Sequence, residues 1–243
     1  MRRWHRPSWF ALALTVFGVI AFVRLGVWQL DRAAQKEQLL AAFAAAPQAL
    51  PTNFASVRDM ADTQHYPHVR VAGHFLAERG YLLDEQMHAG RLGVHAIAVF
   101  AGNGEPHLLL VDRGWIAWNH ASDTTPALPP LPGGEVALTG IYAPFPGGGL
   151  RVGGNALPAQ TAWPKLTLYL DPVPIAADLG RPLWPRMLLL DPAPDSGFVR
   201  EWTPNVMPPA RHRAYAFQWF ALAVAALVIF VALHWRKVDN ATK

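Results

Sequence analysis

The chain contains no cysteine. That removes thiolate metal sites, thiol nucleophiles and redox pairs, and a domain in an oxidising compartment must then cohere without disulfides. Serine is nearly as scarce, with Ser8, Ser56, Ser122 and Ser196 the complete set and no G-x-S-x-G elbow among them, so serine-hydrolase chemistry has no foundation. No paired-carboxylate motif supports a hydrolase working through Asp and Glu. The Gly-rich stretch GGGLRVGG at 147–154 lacks the Lys-Ser/Thr of a phosphate loop and opens no apolar helix, so it reads as a flexible loop around Gly147, Gly148 and Gly149. His65, His68 and His74 with Asp62 fit no zinc spacing. Strand geometry would set His68 and His74 on one face with His65 outside it, as ordinary surface histidines. Met60, Met87, Met187 and Met207 are too scattered for copper carriage. No metal site and no catalytic constellation is expected, and the protein is not expected to be an enzyme.

Charge is unevenly placed. The net charge of +4 and pI near 9.7 come from basic residues that gather at the edges of apolar runs, which suits anionic lipid headgroups rather than nucleic acid. Two runs stand out. Ser8 to Val23 carries no charge and resumes as Leu25 to Leu30 after Arg24, while Ala214 to Trp235 has only Gln218 and His234 as strongly polar members. Each matches the roughly 20 residues that cross about 30 Å of hydrocarbon. The small residues Ala44, Ala45 and Ala46 lie too far beyond the first run for signal cleavage, so an uncleaved anchor is expected.

Two crossings put both termini on one side. Arg2, Arg3, Arg6, Arg236, Lys237 and Lys243 at the ends balance Arg24, Arg32, Lys36, Arg200, Arg211 and Arg213 at the loop flanks. The dominance of the first helix and the indifference of long loops to charge then favour cytoplasmic ends. The expected organisation is a cytoplasmic N-terminus at 1–8, a transmembrane helix at 9–30, an extracytoplasmic domain at 31–213, a second transmembrane helix at 214–235 and a cytoplasmic C-terminus at 236–243. Such short ends leave no room for a folded output domain.

The central region is large enough to bury its own core. DRAAQKEQLLAAF, Asp31 to Phe43, extends the first helix outward until Pro47 and Pro51 end it. Strands are expected at His68 to Leu76, Tyr81 to Met87, His95 to Phe100, Leu108 to Trp118, Val136 to Tyr142 and Arg186 to Leu190, with loops at 121–133 and 143–158. A short helix is expected from Pro172 to Leu179, with Asp171 as N-cap and Gly180 as C-cap. The fold class is therefore an α+β membrane protein in which two terminal transmembrane helices flank a β-rich antiparallel extracytoplasmic domain with short helices; whether its strands form a sheet or a barrel stays open.

Three constellations sit where sequence meets membrane geometry. LGVWQLDR with Lys36 places Trp28, Arg32 and Lys36 at four-residue steps on one helix face beside Gln29, either as an interfacial anchor or as a surface offered to a partner. Arg113-Gly114-Trp115 ends the strand LLLVDRGWIAW, where Gly marks a bulge or a close backbone approach. Arg211 to Phe220, RHRAYAFQWF, opens the second helix, and His212, Tyr215, Trp219, Ala223, Ala226 and Phe230 fall on one stripe with Gln218 beside it. An aromatic belt with basic anchors accounts for the stripe, while a neutral imidazole at the outer interface can ligate haem iron. His234, about 33 Å away at 1.5 Å per residue, cannot share that task.

In this order, LGVWQLDR, YPHVRVAGHF from Tyr66 to Phe75, LLLVDRGW, LTGIYAPF and HRAYAFQWFALA resemble the surfeit locus protein 1 family over nearly the whole chain. The resemblance implies a bacterial plasma-membrane (inner membrane) assembly factor for cytochrome c oxidase and related haem-copper oxidases, acting as haem a enters the catalytic subunit. Its implied partners are that subunit, the haem a synthesis machinery and the lipid bilayer. It further implies a transient haem a contact at His212 with Tyr215 and Trp219 nearby, and partner-facing roles for Trp28, Gln29, Arg32, Lys36, Arg113, Gly114, Trp115 and Gln218. Arg211 and Arg213 flank His212 where the better-studied members commonly have Asn or Gly before the histidine, and either arginine suits a haem propionate. Asp112 stands where Asn is frequent. The rival reading is a membrane-anchored β domain that binds envelope ligands or proteins unrelated to respiration.

Overall fold

The computed structural model describes residues 2–119, 125–146, 155–204 and 206–237. The Gly-rich loop expected at 147–154, the first residues of the loop expected at 121–133 and the last residues of the expected C-terminal tail lie outside them. The described elements are helices α1 (Trp9–Ala45), α2 (Pro172–Leu179) and α3 (Pro209–His234), and strands β1 (Arg2–Trp4), β2 (Thr52–Asn53), β3 (His68–His88), β4 (Arg91–Gly102), β5 (Leu108–Ala117), β6 (Val136–Pro144), β7 (Lys165–Thr167), β8 (Arg186–Leu190) and β9 (Trp235–Lys237). The chain forms two compact units, Met1–Leu39 with Val206–Lys243, and Leu40–Asn205.

In the first unit α1 and α3 are long and apolar enough to cross a membrane, and their apolar windows are almost wholly exposed. They meet along a narrow seam in which Gly26 and Ala33 of α1, and His212, Ala216 and Ala223 of α3, are the buried members. Small residues let two backbones approach. A Cβ on Gly26 would lie 2.5 Å from Phe220 Cε1, so any larger residue there would have to push the ring aside. Phe22 stacks on Trp219 with centroids 5.9 Å apart. The expected stripe is corrected at one place: Tyr215 is 39% exposed and Ala216 occupies the inward position. A methyl group lets the helices close where a phenol ring would hold them apart. At the far end β1 pairs antiparallel with β9, and Trp4 packs on Phe230 and His234, so both termini lie at one end of this unit.

In the second unit β3, β4, β5, β8 and β6 pair in that order, and β6 pairs again with β3, closing a five-stranded barrel. The expected meander holds for β3, β4 and β5, but the sheet is not purely antiparallel. β8 slots between β5 and β6 parallel to β5, while β2 and β7 lie parallel along β3. The two strands expected at His68 to Leu76 and Tyr81 to Met87 are one, β3, continuous through a bulge between Phe75 and Gly80.

Side chains from all five barrel strands, among them Val71, Phe100, Leu109, Tyr142 and Leu188, fill the interior. The alternate positions Tyr81, Ile97, Leu110 and Met187 make a second core with Ile175 of α2, Leu157 and Leu170. Strands covered on both faces lose polar alternation, as LLLVDRGW does. α2 forms as its sequence dictates: Asp171 accepts from the Val173 N–H, Pro172 starts the helix and Gly180, at φ 64°, ends it. The last turn of α1, which belongs to this unit, buries Phe43 edge-on against Tyr66.

Candidate functional site

Within the helical unit, Gln29 of α1 and His212 of α3 form the centre of the site. His212 is 8% exposed, and its Nδ1 lies 2.7 Å from Gln29 Oε1. Its other ring nitrogen, Nε2, is buried with no hydrogen-bond partner. Native proteins rarely leave a buried polar atom so, because it costs about 1–3 kcal/mol. With an amide oxygen as acceptor, Nδ1 carries the hydrogen and Nε2 keeps a lone pair, the tautomer that ligates metals.

The residues around this pair divide by face. Arg32 lies over Trp28, 5.5 Å from the ring, and donates to Gln35 at 3.0 Å. Lys36 is half-buried on the same helix. Arg213 is engaged by Glu37, whereas Arg211 is exposed with no side-chain partner among the described residues. Tyr215 and Gln218 are exposed on α3, and Trp219, two turns or about 10 Å along the axis from His212, is packed against Phe22. The structure thus brings Gln29 to His212, turns Trp28 and Arg32 outward, leaves Tyr215 and Gln218 exposed, and packs Trp219 on Phe22.

Arg113, Gly114 and Trp115 are turned inward in the β unit, with Arg113 9% and Trp115 5% exposed. β5 bulges here against β4 between His95 and Ile97. Asp112 Oδ1 accepts from the Gly114 N–H at 2.9 Å, and Asp112 Oδ2 lies 2.9 Å from His95 Nδ1. Gly114 has φ 123°, and a Cβ there would lie 2.7 Å from both Phe198 Cβ and Val199 O. That closeness lets Trp115 and Val199 exchange backbone hydrogen bonds of 2.8 and 2.9 Å. Trp115 Nε1 donates to Gln86 O at 2.8 Å. The Arg113 guanidinium donates to Pro129 O at 2.7 Å and sits over Phe198. Burial, with Arg200 close by, pulls its pKa down to about 10. These residues hold the C-terminal segment to the sheet; they are buried structure.

Three buried polar clusters escape sequence reasoning. Lys165 and Tyr81 converge on Asp178 of α2, and burial followed by the neighbouring Asp178 drives the Tyr81 pKa upward. Arg186, 1% exposed, donates to Asp62 O at 2.8 Å and to His65 O, between the rings of Tyr66 and Tyr142. His68 is corrected from a surface residue to a buried one: its Nδ1 meets Ala49 O at 2.8 Å and its Nε2 meets Asp191 Oδ2 at 2.8 Å. Burial lowers its pKa, but the hydrogen bonds to Ala49 and Asp191 outweigh burial and the net shift is upward. His65 and His74 are exposed, and no group of three metal-ligating side chains exists among the described residues. Each cluster joins residues tens of positions apart, which no local spacing reveals. The Gln29–His212 pair did leave a signal, since Gly26, Gln29 and Ala33 share one helix face.

The profile of the SURF1 family matches residues 16–224, a span that takes in most of α1, the barrel and the first part of α3. The chain belongs to the SURF1 family. Among similar proteins, the SURF1-like protein of Rickettsia bellii is 27% identical over 228 residues, covering 91% of this chain and 89% of the relative. The SURF1-like protein of Monosiga brevicollis is 28% identical over 244 residues, covering 94% of this chain and 88% of the relative. The SURF1 family is known for cytochrome oxidase assembly. Both matches cover most of this chain and most of the relative.

Proposed function

We propose that this protein is a non-catalytic assembly factor for cytochrome c oxidase or a related haem-copper oxidase, that it assists haem a insertion into the catalytic subunit, and that His212 is its haem contact. The observation that carries the reading is His212 itself: a buried imidazole, hydrogen-bonded through Nδ1 to Gln29, with a partnerless Nε2. Haem fits this donor chemistry, because its iron takes a neutral imidazole nitrogen as an axial ligand. Gln29 orients the ring, Gly26 lets the Phe220 ring close against α1, and exposed Arg211 is free for a propionate while Arg213 is held by Glu37.

Two exposed apolar helices support a chain that spans the membrane twice. We place both ends in the cytoplasm and the barrel in the periplasm of a bacterial inner membrane, beside the oxidase core subunit and its haem supplier. Deleting the gene and recording reduced-minus-oxidised spectra of membranes tests the assembly role: the haem a band is expected to fall sharply, and an undiminished band overturns the proposal. Expressed with haem a synthesis, the purified chain is expected to carry a haem spectrum that His212→Ala abolishes.

A further inference from the structure

Resting on the reading of His212 as the haem contact, we infer that Gln29 is a positioning residue that fixes the tautomer and ring orientation of His212, so that Nε2 is the atom presented to iron. The two residues come from different helices. Their 2.7 Å contact exists because the seam closes at Gly26, whose missing Cβ lets the Phe220 ring in. One position along α3, Arg213 grips Glu37 of α1 at the same end. An amide oxygen accepts and cannot donate, so Nδ1 is the protonated nitrogen. The lone pair then sits on Nε2, which is buried and unpartnered. Were the amide turned to offer its NH2 group instead, Nε2 would carry a buried hydrogen with no acceptor and could not bind iron without first losing it. Only the first arrangement gives the unpaired atom a use. It is the relation between a metal-binding histidine and its outer hydrogen-bond partner, here supplied by the other helix.

The decisive measurement needs no haem. Nitrogen-15 NMR of the histidine-labelled full chain in detergent, in its ligand-free state, is expected to show His212 as the Nδ1–H tautomer. Gln29→Leu is expected to shift it towards a mixture with Nε2–H. Titration with ferric haem then follows binding. Gln29→Leu is expected to weaken affinity 10- to 100-fold, the range for losing an outer partner of a metal ligand. Gln29→Glu keeps the side-chain length and an acceptor, so it is expected to retain binding while lowering the reduction potential of the bound iron, since a carboxylate pushes more charge onto the ring. A wild-type spectrum showing Nε2–H overturns the inference, as does a Gln29→Leu chain that titrates like wild type with an unchanged potential. If His212→Ala binds haem as wild type does, the haem reading falls, while an Nδ1–H signal in the wild type would still uphold the role of Gln29 in setting the ring.

Discussion

Two glycines, one in each unit, show how differently the two parts of this molecule use close packing. Gly114 in the β unit admits the backbone of Val199, and the polar groups around it find partners: Asp112 with the Gly114 N–H and His95, Arg113 with Pro129, Trp115 with Gln86. Gly26 in the helical unit admits the ring of Phe220, and the neighbouring His212 is left with one satisfied and one unsatisfied nitrogen. Both contacts are tight. The first serves a domain that must hold together without disulfides, and the second leaves the His212 Nε2 without a partner.

That contrast can be attacked at its strongest point first. Gly114→Val combines a φ of 123° with a collision against Phe198 and Val199, and is expected to destabilise the β unit by about 3 kcal/mol or more. Urea unfolding of the purified chain followed by tryptophan fluorescence reads it; an unchanged midpoint would break the comparison. Asp178→Ala strips the partner from buried Lys165 and from Tyr81, at a cost of about 3 kcal/mol in the same assay. Lys165→Met combined with Asp178→Leu should cost clearly less, because no charge is left stranded.

In the other unit, Gly26→Leu is expected to cost the helix pair about 1–3 kcal/mol while leaving the β unit's urea midpoint in place. Cross-linking between cysteines introduced on α1 and α3 would report the opened seam, and a fall in the β unit's midpoint would refute the independence of the two contacts. The smallest effect is pH dependence at His68. Its two nitrogens face a carbonyl and a carboxylate, so the imidazolium satisfies both. A group whose folded pKa is raised contributes stability in full below its unfolded pKa, near 6.5, and that contribution disappears as pH climbs through the higher folded value. The β unit should therefore lose stability as pH rises above about 6.5. His68→Gln should flatten that slope; a slope surviving the substitution would assign it to another group.

The elements written in local chemistry were readable from sequence. Asp171-Pro172 and Gly180 bound α2 as expected, Pro47 stops α1 beyond Ala45, and Arg186–Leu190 is the strand its apolar run announces. Strand order was not readable, because β8 pairs with β5 and β6 through burial on both faces, and burial on both faces erases the alternation that assigns a strand its neighbours. At the site, His212 and Gln29 each stood out, yet their pairing depends on where two helices cross, and the periodicity of one helix leaves the crossing open by about a third of a turn. That uncertainty is the difference between Tyr215 and Ala216 at the seam. For Arg113-Gly114-Trp115 the glycine announced a bulge or a close backbone approach, but the segment that makes that approach, Phe198–Arg200, lies over 80 residues away, and no local spacing reveals it.

The place of β8 also bears on how the protein is made. β5 and β6 emerge from the ribosome with the edges that β8 will later cover still bare, and the barrel cannot close until residues 186–190 have followed them. During that interval two apolar strand edges stand open to any passing chain, the condition under which nascent β proteins mispair. If the domain is exported as a growing polypeptide, its vulnerable period lasts until the stretch just ahead of α3 has crossed, and truncations ending before residue 186 should accumulate as aggregates where those ending after residue 202 do not.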